Sequence, residues 1–250
     1  MQNQKPFRLI TIPVSHYCEK VRWALDYLKL PYVEEPHMPL LHRLATTKFG
    51  GKSTPVLVTE NENFTDSTDI LKYLDSLVPN DAKLYPTNSE QRQQVEELEE
   101  LFDEKLAPAV RTWAYFYIVD NSKIIQPKWT QGVPIIEKLL FPVIYPAMRS
   151  VVKKAYDVNA ESATQSYQEI QSVFAKVNEL LADDRNYLVG DKISAADFAF
   201  ASLAAPILQP PEHPINFDSQ ELPAEFVSKI NKLKETAAGK FVLNLYANWR

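Results

Sequence analysis

Residues 7–22 read FRLITIPVSHYCEKVR, and this stretch combines a strand with the start of a helix. The first six residues have strand composition, and apolar residues at helical spacing follow from about His16 to Lys29. Ser15 therefore stands where unpaired backbone amides and the helix dipole stabilise a thiolate or another anion. The same pattern also fits a simple helix cap at Ser15 with Cys18 as a buried core thiol.

The rest of the first 78 residues continues this alternation of strands and helices. We expect short strands over residues 31–34, 55–59 and 63–65, and helices over residues 39–45 and 67–77. The order of elements is βαβ, α, ββ, α, which predicts a small mixed sheet with helices packed on it.

Apolar periodicity stops over residues 79–89, which indicates a linker. Beyond it the pattern is almost entirely helical. Ser89 is the expected cap of the first helix there. Ser194 and Asp197 form the pattern of a capping box, and Pro223 is expected to open the last helix. No element is predicted for most of residues 120–165.

Composition excludes several classes of protein. The chain has five glycines, against an average usage of about 7%, and none of them form a nucleotide-binding loop. Cys18 is the only cysteine, which excludes an internal disulfide and favours a reducing, cytoplasmic setting. The four histidines show no zinc-binding spacing, and a net charge of −5 with its acidic excess after residue 85 does not suit nucleic acid. The most hydrophobic stretch, residues 133–152, carries charges and prolines that a membrane span would not tolerate.

Two further segments of the first 80 residues could hold a ligand. In Lys52-Ser53-Thr54-Pro55, a proline opens an apolar strand, and a cis bond there would turn the preceding backbone toward a ligand; an ordinary trans proline is the alternative. Asp66 and Ser67 stand at a helix start, where Ser67 and free amides suit a carboxylate and Asp66 suits an ammonium; a plain cap is again the alternative.

Taken together and in this order, the three segments resemble the glutathione transferase family. The resemblance implies an α+β chain: a thioredoxin-like domain (βαβ-α-ββα) over residues 1–80, followed by an all-helical bundle domain over residues 89–250. Residues 187–198, with Ser194 and Asp197, are similar to the capping-box helix of the second domain in that family. Ser15 takes the place of the first cysteine in the family's redox motif, with Cys18 at the second position, as in serine-type transferases.

The resemblance also implies roles for individual residues. Ser15 and Cys18 are the candidate catalytic residues. The candidate glutathione-binding residues are Lys52, Thr54, Pro55, Asp66 and Ser67, with Arg43 and His42 as weaker candidates for the glycyl carboxylate. The candidate hydrophobic substrate site consists of Trp113, Tyr115, Phe116 and Tyr117, although such an aromatic cluster fits a core equally well. Thr54 and Asp66 depart from the valine and the Glu/Gln that are usual in the family.

The implied function is conjugation of the glutathione thiolate to a hydrophobic electrophile, with glutathione peroxidase activity as an addition. Glutathione would be a co-substrate, no metal would be needed, and the protein would be a homodimeric detoxification enzyme. Two alternatives stay open. One is a glutathione-dependent thiol–disulfide oxidoreductase or isomerase that uses Cys18, and the other is a non-catalytic scaffold that keeps the fold.

Overall fold

The computed structural model describes residues 5–250, so the first four residues of the predicted domain 1–80 lie outside the described part. The amino-terminal part alternates strands and helices in the predicted order. Its elements are β1 (Phe7–Thr11), α1 (His16–Tyr27), β2 (Tyr32–Pro36), α2 (His42–Thr46), a 3₁₀ turn (Thr47–Phe49), β3 (Val56–Val58), β4 (Asn63–Phe64) and α3 (Ser67–Ser76).

The four strands form one mixed sheet in the order β2-β1-β3-β4. β1 pairs in parallel with β2 through α1, while β3 runs antiparallel to both β1 and β4. Leu9 and Ile10 of the central strand are fully buried, as expected for a strand covered on both faces. The sheet therefore brings the carboxyl end of β1 and the start of β3 to the same edge.

The turn before β3 depends on two glycines. Gly50 ends the 3₁₀ turn with φ of 81°, a left-handed conformation that favours glycine. A Cβ on Gly51 would lie 2.7 Å from Cγ2 of Val56, so a side chain there would force the turn away from β3. Both positions fix the path of the chain into Lys52.

The second part of the chain is helical throughout. Its helices are α4 (Ser89–Leu101), α5 (Ala107–Ile118), α6 (Ser122–Trp129), α7 (Ile135–Ala155), α8 (Ala160–Leu180), α9 (Ala195–Leu208), α10 (Ala224–Glu235) and α11 (Ala237–Trp249). A π-helical turn, Phe102–Leu106, joins α4 to α5 without a break. The mixed sheet and the helices that follow it agree with the predicted fold class.

Two helix assignments differ from expectation. Asn88, not Ser89, caps α4, because the Asn88 side chain accepts a hydrogen bond from Gln91 N at 3.0 Å. The helix after Pro223 is not the last one, since α11 follows it. α11 packs on α1: Trp23 Nε1 donates to the carbonyl oxygen of Trp249 at 2.9 Å, and Arg250 pairs with buried Glu19 at 2.7 Å.

The unassigned residues 120–165 hold α6, α7 and the start of α8. The first half of α7 turns large aliphatic side chains to solvent, at Ile135, Ile136, Leu139, Leu140 and Val143. Glu137 on its other side is buried and accepts a hydrogen bond from Met38 N at 2.8 Å, which fastens α7 to the segment after β2. Within residues 5–250, no helix is long and apolar enough to cross a membrane.

The predicted capping box of α9 is present. Asp197 is fully buried, and its carboxylate accepts hydrogen bonds from Leu188 N at 2.8 Å, Ser194 N at 2.7 Å and the Ser194 hydroxyl at 2.7 Å. α9 is the central helix of the bundle, with nearly every residue buried. One carboxylate therefore anchors both the loop before this helix and its first turn.

We expect Asp197→Ala to lower the free energy of unfolding by about 2–4 kcal/mol, because it leaves buried donors without an acceptor. Asn88→Ala, which removes an exposed cap from α4, should cost only about 1 kcal/mol. Urea unfolding followed by tryptophan fluorescence measures both variants. Equal losses would contradict the central position given to Asp197.

Candidate functional site

A cavity of about 490 Å³ lies between the sheet edge and the helical part. The amino-terminal part contributes the start of α1, the segment 52–55 and the start of α3. The helical part contributes the π-helical turn, one side of α5, and residues of α6 and α7. Every candidate glutathione-binding residue named from the sequence lines this cavity: Lys52, Thr54, Pro55, Asp66 and Ser67, together with His42 and Arg43.

Ser15 caps α1 and faces the cavity. Its hydroxyl oxygen accepts a hydrogen bond from Cys18 N at 3.3 Å, which leaves the hydroxyl proton available for donation. The first amides of α1 and the positive end of its dipole lie beside this oxygen. An anion placed here would meet both a hydroxyl donor and a favourable dipole.

Cys18 lies one turn further into the helix and away from the cavity lining. Its side chain is fully buried, and this burial raises the pKa of the thiol above its ordinary value. A buried thiol with a raised pKa is a poor nucleophile near neutral pH. The second of the two sequence interpretations, a cap at Ser15 and a core thiol at Cys18, therefore describes the geometry of both residues.

The peptide bond between Thr54 and Pro55 is cis, as the family resemblance implied. The segment runs along the cavity beside Ser15 and leads directly into β3. Asp66 is the N-cap of α3, and its Oδ1 atom accepts from Thr68 N at 2.8 Å and from Asp69 N at 3.2 Å. Asp66 is thus a helix cap and also a cavity residue, whereas Ser67 beside it is buried.

A buried ionic cluster lies behind these helix starts. The ammonium of Lys20, on α1, lies 2.8 Å from Glu99 Oε1 and 2.7 Å from Asp103 Oδ2, and donates to the Thr68 hydroxyl at 3.2 Å. Burial opposes the charge on Lys20, but the two carboxylates outweigh it and raise its pKa. We call Lys20, Thr68, Glu99 and Asp103 the Lys20 cluster; it joins α1, α3, α4 and the π-helical turn.

Asp103 is the member of the Lys20 cluster that also lines the cavity. Its Oδ1 atom is buried and has no hydrogen-bond partner within the described residues, and burial raises the pKa of its carboxyl group. Two carboxylates and one ammonium leave a negative excess in the corner beside Ser67. That corner suits a cationic group of a ligand. Neither Asp103 nor the cluster was found from the sequence, because Lys20 and Asp103 lie 83 residues apart.

The four aromatic candidates on α5 do not all line the cavity. Tyr115 lines the cavity, but Trp113, Phe116 and Tyr117 do not. Trp113 is buried against Phe226 at 4.7 Å between ring centroids, and Tyr117 stacks on the same ring at 4.5 Å. Residues 113, 116 and 117 leave the cavity because each residue of a helix turns it by about 100°. The side that faces the cavity is Arg111, Ala114, Tyr115 and Ile118.

The remaining wall comes from segments that the sequence left unassigned. Trp129 of α6, Val152 of α7, Tyr156 and Phe217 add a largely apolar surface around Tyr115. His16 and His213 also line the cavity, and burial lowers both of their pKa values, that of His16 to about 3. Both rings are therefore neutral near pH 7. No cluster of three or more metal-binding side chains occurs in residues 5–250.

Two family models match the chain. The glutathione S-transferase N-terminal domain matches residues 9–82, and the glutathione S-transferase C-terminal domain matches residues 134–233. The protein belongs to the glutathione transferase family. Comparison with curated proteins gives no match.

Solved structures of other glutathione transferases and related proteins share the fold along nearly the whole chain. A beta-etherase from Sphingobium sp. strain SYK-6 is 18% identical with a TM-score of 0.60, and covers 96% of this chain and 99% of its own. A glutathione transferase from Phanerochaete chrysosporium, solved with oxidized glutathione, is 17% identical with a TM-score of 0.57 and covers 99% and 97%. A glutathione S-transferase from Methylobacillus flagellatus kt, with glutathione bound, is 17% identical with a TM-score of 0.56 and covers 94% and 98%. At these identities the likeness shows the fold alone.

Lys20→Met should lower the free energy of unfolding by about 3–5 kcal/mol, because it leaves two buried carboxylates without their cation. Lys72→Met removes an exposed lysine that lies 3.7 Å from Glu96, and should cost less than about 1 kcal/mol. Chemical denaturation of both variants compares the two pairs. A similar small effect at both sites would show that the Lys20 cluster does not hold the helices together.

Proposed function

We propose that this family member is a serine-type glutathione transferase that joins the glutathione thiolate to an electrophilic carbon. One observation carries the proposal: the Ser15 hydroxyl faces the same cavity as the Thr54–Pro55 segment and the Asp66–Ser67 helix start. A sulfur atom held beside Ser15 would receive a hydrogen bond and the field of the α1 dipole. The chain supplies no accessible thiol there, so the sulfur must come from the ligand.

The two ends of glutathione find complementary groups in the cavity. The γ-glutamyl end, with one carboxylate and one ammonium, suits the hydroxyl and backbone amide of Ser67 for the first charge, because Asp66 already accepts from the amides of Thr68 and Asp69. Asp66 with Asp103 Oδ1 suits the second charge. The backbone of Thr54 would pair with the cysteinyl unit. Lys52, assisted by Arg43 or His42, would take the glycyl carboxylate.

The reaction needs no protein base. The glutathione thiol gives its proton to solvent, and Ser15 with the α1 amides stabilises the resulting thiolate. His16 cannot store the proton near pH 7, because burial and the charge of Arg111 lower its pKa to about 3. The thiolate then forms a bond to the electrophilic carbon, and the leaving group departs with the electron pair of the bond that breaks.

The electrophile would occupy the apolar wall formed by Tyr115, Trp129, Tyr156 and Ile118. A peroxide could enter the same space. The thiolate would attack one oxygen, the O–O bond would break with release of an alcohol or water, and a second glutathione thiol would displace water from the resulting sulfenic acid to give glutathione disulfide. Homodimer assembly, a cytoplasmic location and a role in detoxification stay predictions from the family resemblance.

We expect Ser15→Ala to lower kcat/KM for a chlorodinitrobenzene roughly 10-fold to 100-fold at pH 6.5, because a hydrogen bond to a charged group contributes about 1.5–3 kcal/mol. The loss should shrink at pH 9, where the thiol ionises without help. The dissociation constant of glutathione, measured by calorimetry, should change little. Stopped-flow rates across this pH range check the expectation.

Ser150→Ala, on the exposed side of α7, is the matched control and should behave as the wild type. An unchanged rate for Ser15→Ala would remove Ser15 from the mechanism. Absence of glutathione binding in the wild type would favour the non-catalytic scaffold.

The thiol–disulfide alternative has its own test. If Cys18 is as inaccessible as the structure shows, iodoacetamide should modify it slowly in the native protein, with a rate that keeps rising above pH 9. Mass spectrometry of the native and urea-unfolded protein measures the difference. Rapid native modification at pH 7 would instead support a redox role for Cys18.

A further inference from the structure

Arg111 is the cavity residue that the proposed function leaves unused. It lies on the side of α5 that faces the cavity, which Lys52 and Arg43 of the amino-terminal part also line. Its Nε atom is buried without a hydrogen-bond partner, and within residues 5–250 no carboxylate oxygen lies within 4.0 Å of its guanidinium group. An arginine in this setting has a free binding capacity, because a partly desolvated charge is stabilised by pairing with an anion.

The guanidinium group is held in place by aromatic packing instead of by an acid. Its Cζ atom lies 3.9 Å from the centroid of the Tyr156 ring. Tyr156 is itself positioned by Tyr115, which stacks parallel to it at 6.0 Å, and by Thr112, whose hydroxyl donates to the Tyr156 carbonyl at 3.0 Å. Stacking occupies the flat face of a guanidinium and leaves its N–H edge for a planar, bidentate ligand.

The charges around Arg111 do not neutralise it. Asp103 also lines the cavity and its Oδ2 atom is bound to Lys20, but within residues 5–250 no carboxylate oxygen, that of Asp103 included, lies within 4.0 Å of the Arg111 guanidinium. Glu104 is exposed in the π-helical turn. The neighbouring His16 ring is neutral, and the charge of Arg111 contributes to that neutrality. Arg111 is therefore an uncompensated cation beside the helix start where the thiolate would form.

We propose that Arg111 is a specificity residue that binds a carboxylate on the second substrate, so that the preferred electrophiles are anionic aromatic or aliphatic acids. This inference rests on the proposed function. In the proposed function both carboxylates of glutathione already have partners, namely Ser67 for the γ-glutamyl end and Lys52 for the glycyl end. The apolar wall around Tyr115 would hold the body of the electrophile, and Arg111 would fix its charged end.

A chlorodinitrobenzoate and its methyl ester test this preference. Both react at the same carbon with loss of chloride, so they differ at the enzyme chiefly by one negative charge. Dividing each kcat/KM by the uncatalysed rate with glutathione removes their difference in intrinsic reactivity. We expect the wild type to prefer the carboxylate, and Arg111→Gln to reduce this preference roughly 10-fold to 100-fold.

Arg111→Lys, which keeps the charge but loses the planar fork, should retain part of the preference. Arg149→Gln, which removes an exposed arginine paired with Asp120, is the matched control and should keep all of it. The ester rate in each variant measures any effect of Arg111 on the thiolate itself, so the carboxylate-to-ester ratio of kcat/KM is the quantity compared among the four proteins. Equal losses for carboxylate and ester in Arg111→Gln would overturn the inference, because Arg111 would then act on the sulfur.

A binding experiment separates failure of this inference from failure of the proposed function. Calorimetry with dinitrobenzoate, which has no leaving group, measures the anion site in the presence of S-methylglutathione. Binding to the wild type that is at least 10-fold weaker in Arg111→Gln supports the site even if neither electrophile is converted. Turnover of the ester without any preference for the carboxylate or binding of dinitrobenzoate would overturn the site and leave the transferase proposal intact. If Arg111→Gln fails to fold, the comparison of the wild type with Arg111→Lys carries the test, and an undiminished preference in Arg111→Lys would overturn the inference.

Discussion

Burial of the Lys20 ammonium is the constraint on which the arrangement of the cavity depends. A lysine with no exposed side-chain surface is tolerable only when carboxylates surround it, and here Glu99 and Asp103 arrive from the second part of the chain. Lys20 lies on α1, five residues after Ser15, and Thr68 lies two residues after Asp66. The same ionic cluster therefore fixes the helix that carries Ser15, the helix that begins at Asp66, and the turn that carries Asp103. The charge of Lys20 therefore helps to fix the positions of three segments that line the cavity.

The π-helical turn determines which side of α5 faces the cavity. A π-helical turn contains more residues than an α-helical one, so the helix that follows is rotated relative to the helix before it. Asp103 within the turn reaches back to Lys20, while Arg111 and Tyr115 after it face the cavity. The same rotation directs Trp113 and Tyr117 to Phe226 and into the core. Of the four aromatic candidates on α5, Tyr115 is therefore the one that lines the cavity.

The elements set by local chemistry were accessible from the sequence. Strand composition at residues 7–12, the helical spacing after His16 and the Ser194–Asp197 capping box depend on neighbours a few residues apart, and each is present in the structure. The Lys20 cluster, the docking of α11 on α1 and the placement of Tyr156 depend on contacts between residues far apart in the chain. No local sequence pattern singles out Arg111, because what distinguishes it is that no carboxylate of residues 5–250 pairs with it. The amino-terminal segments that line the cavity were thus predictable from the sequence, whereas the lining from the helical part was not.

Charged side chains are distributed unevenly along the cavity, and the two regions suit different ligand groups. On the side of the sheet, the cations Lys52 and Arg43 and the acid Asp66, together with Asp103 of the π-helical turn, can match a ligand that carries both signs of charge. Burial keeps His16 at the start of α1 and His213 in the helical part neutral, and beyond the π-helical turn the described lining of the helical wall is largely apolar, with Arg111 as its charged side chain. A neutral, low-dielectric wall strengthens any remaining charge interaction, because fewer water molecules and counter-charges screen it. One arginine on such a wall can discriminate between acids and esters of the same shape, whereas the same arginine on an exposed, mixed-charge surface could not. Selectivity for acids at this site would therefore arise from the charge of Arg111 on a wall that is otherwise largely apolar.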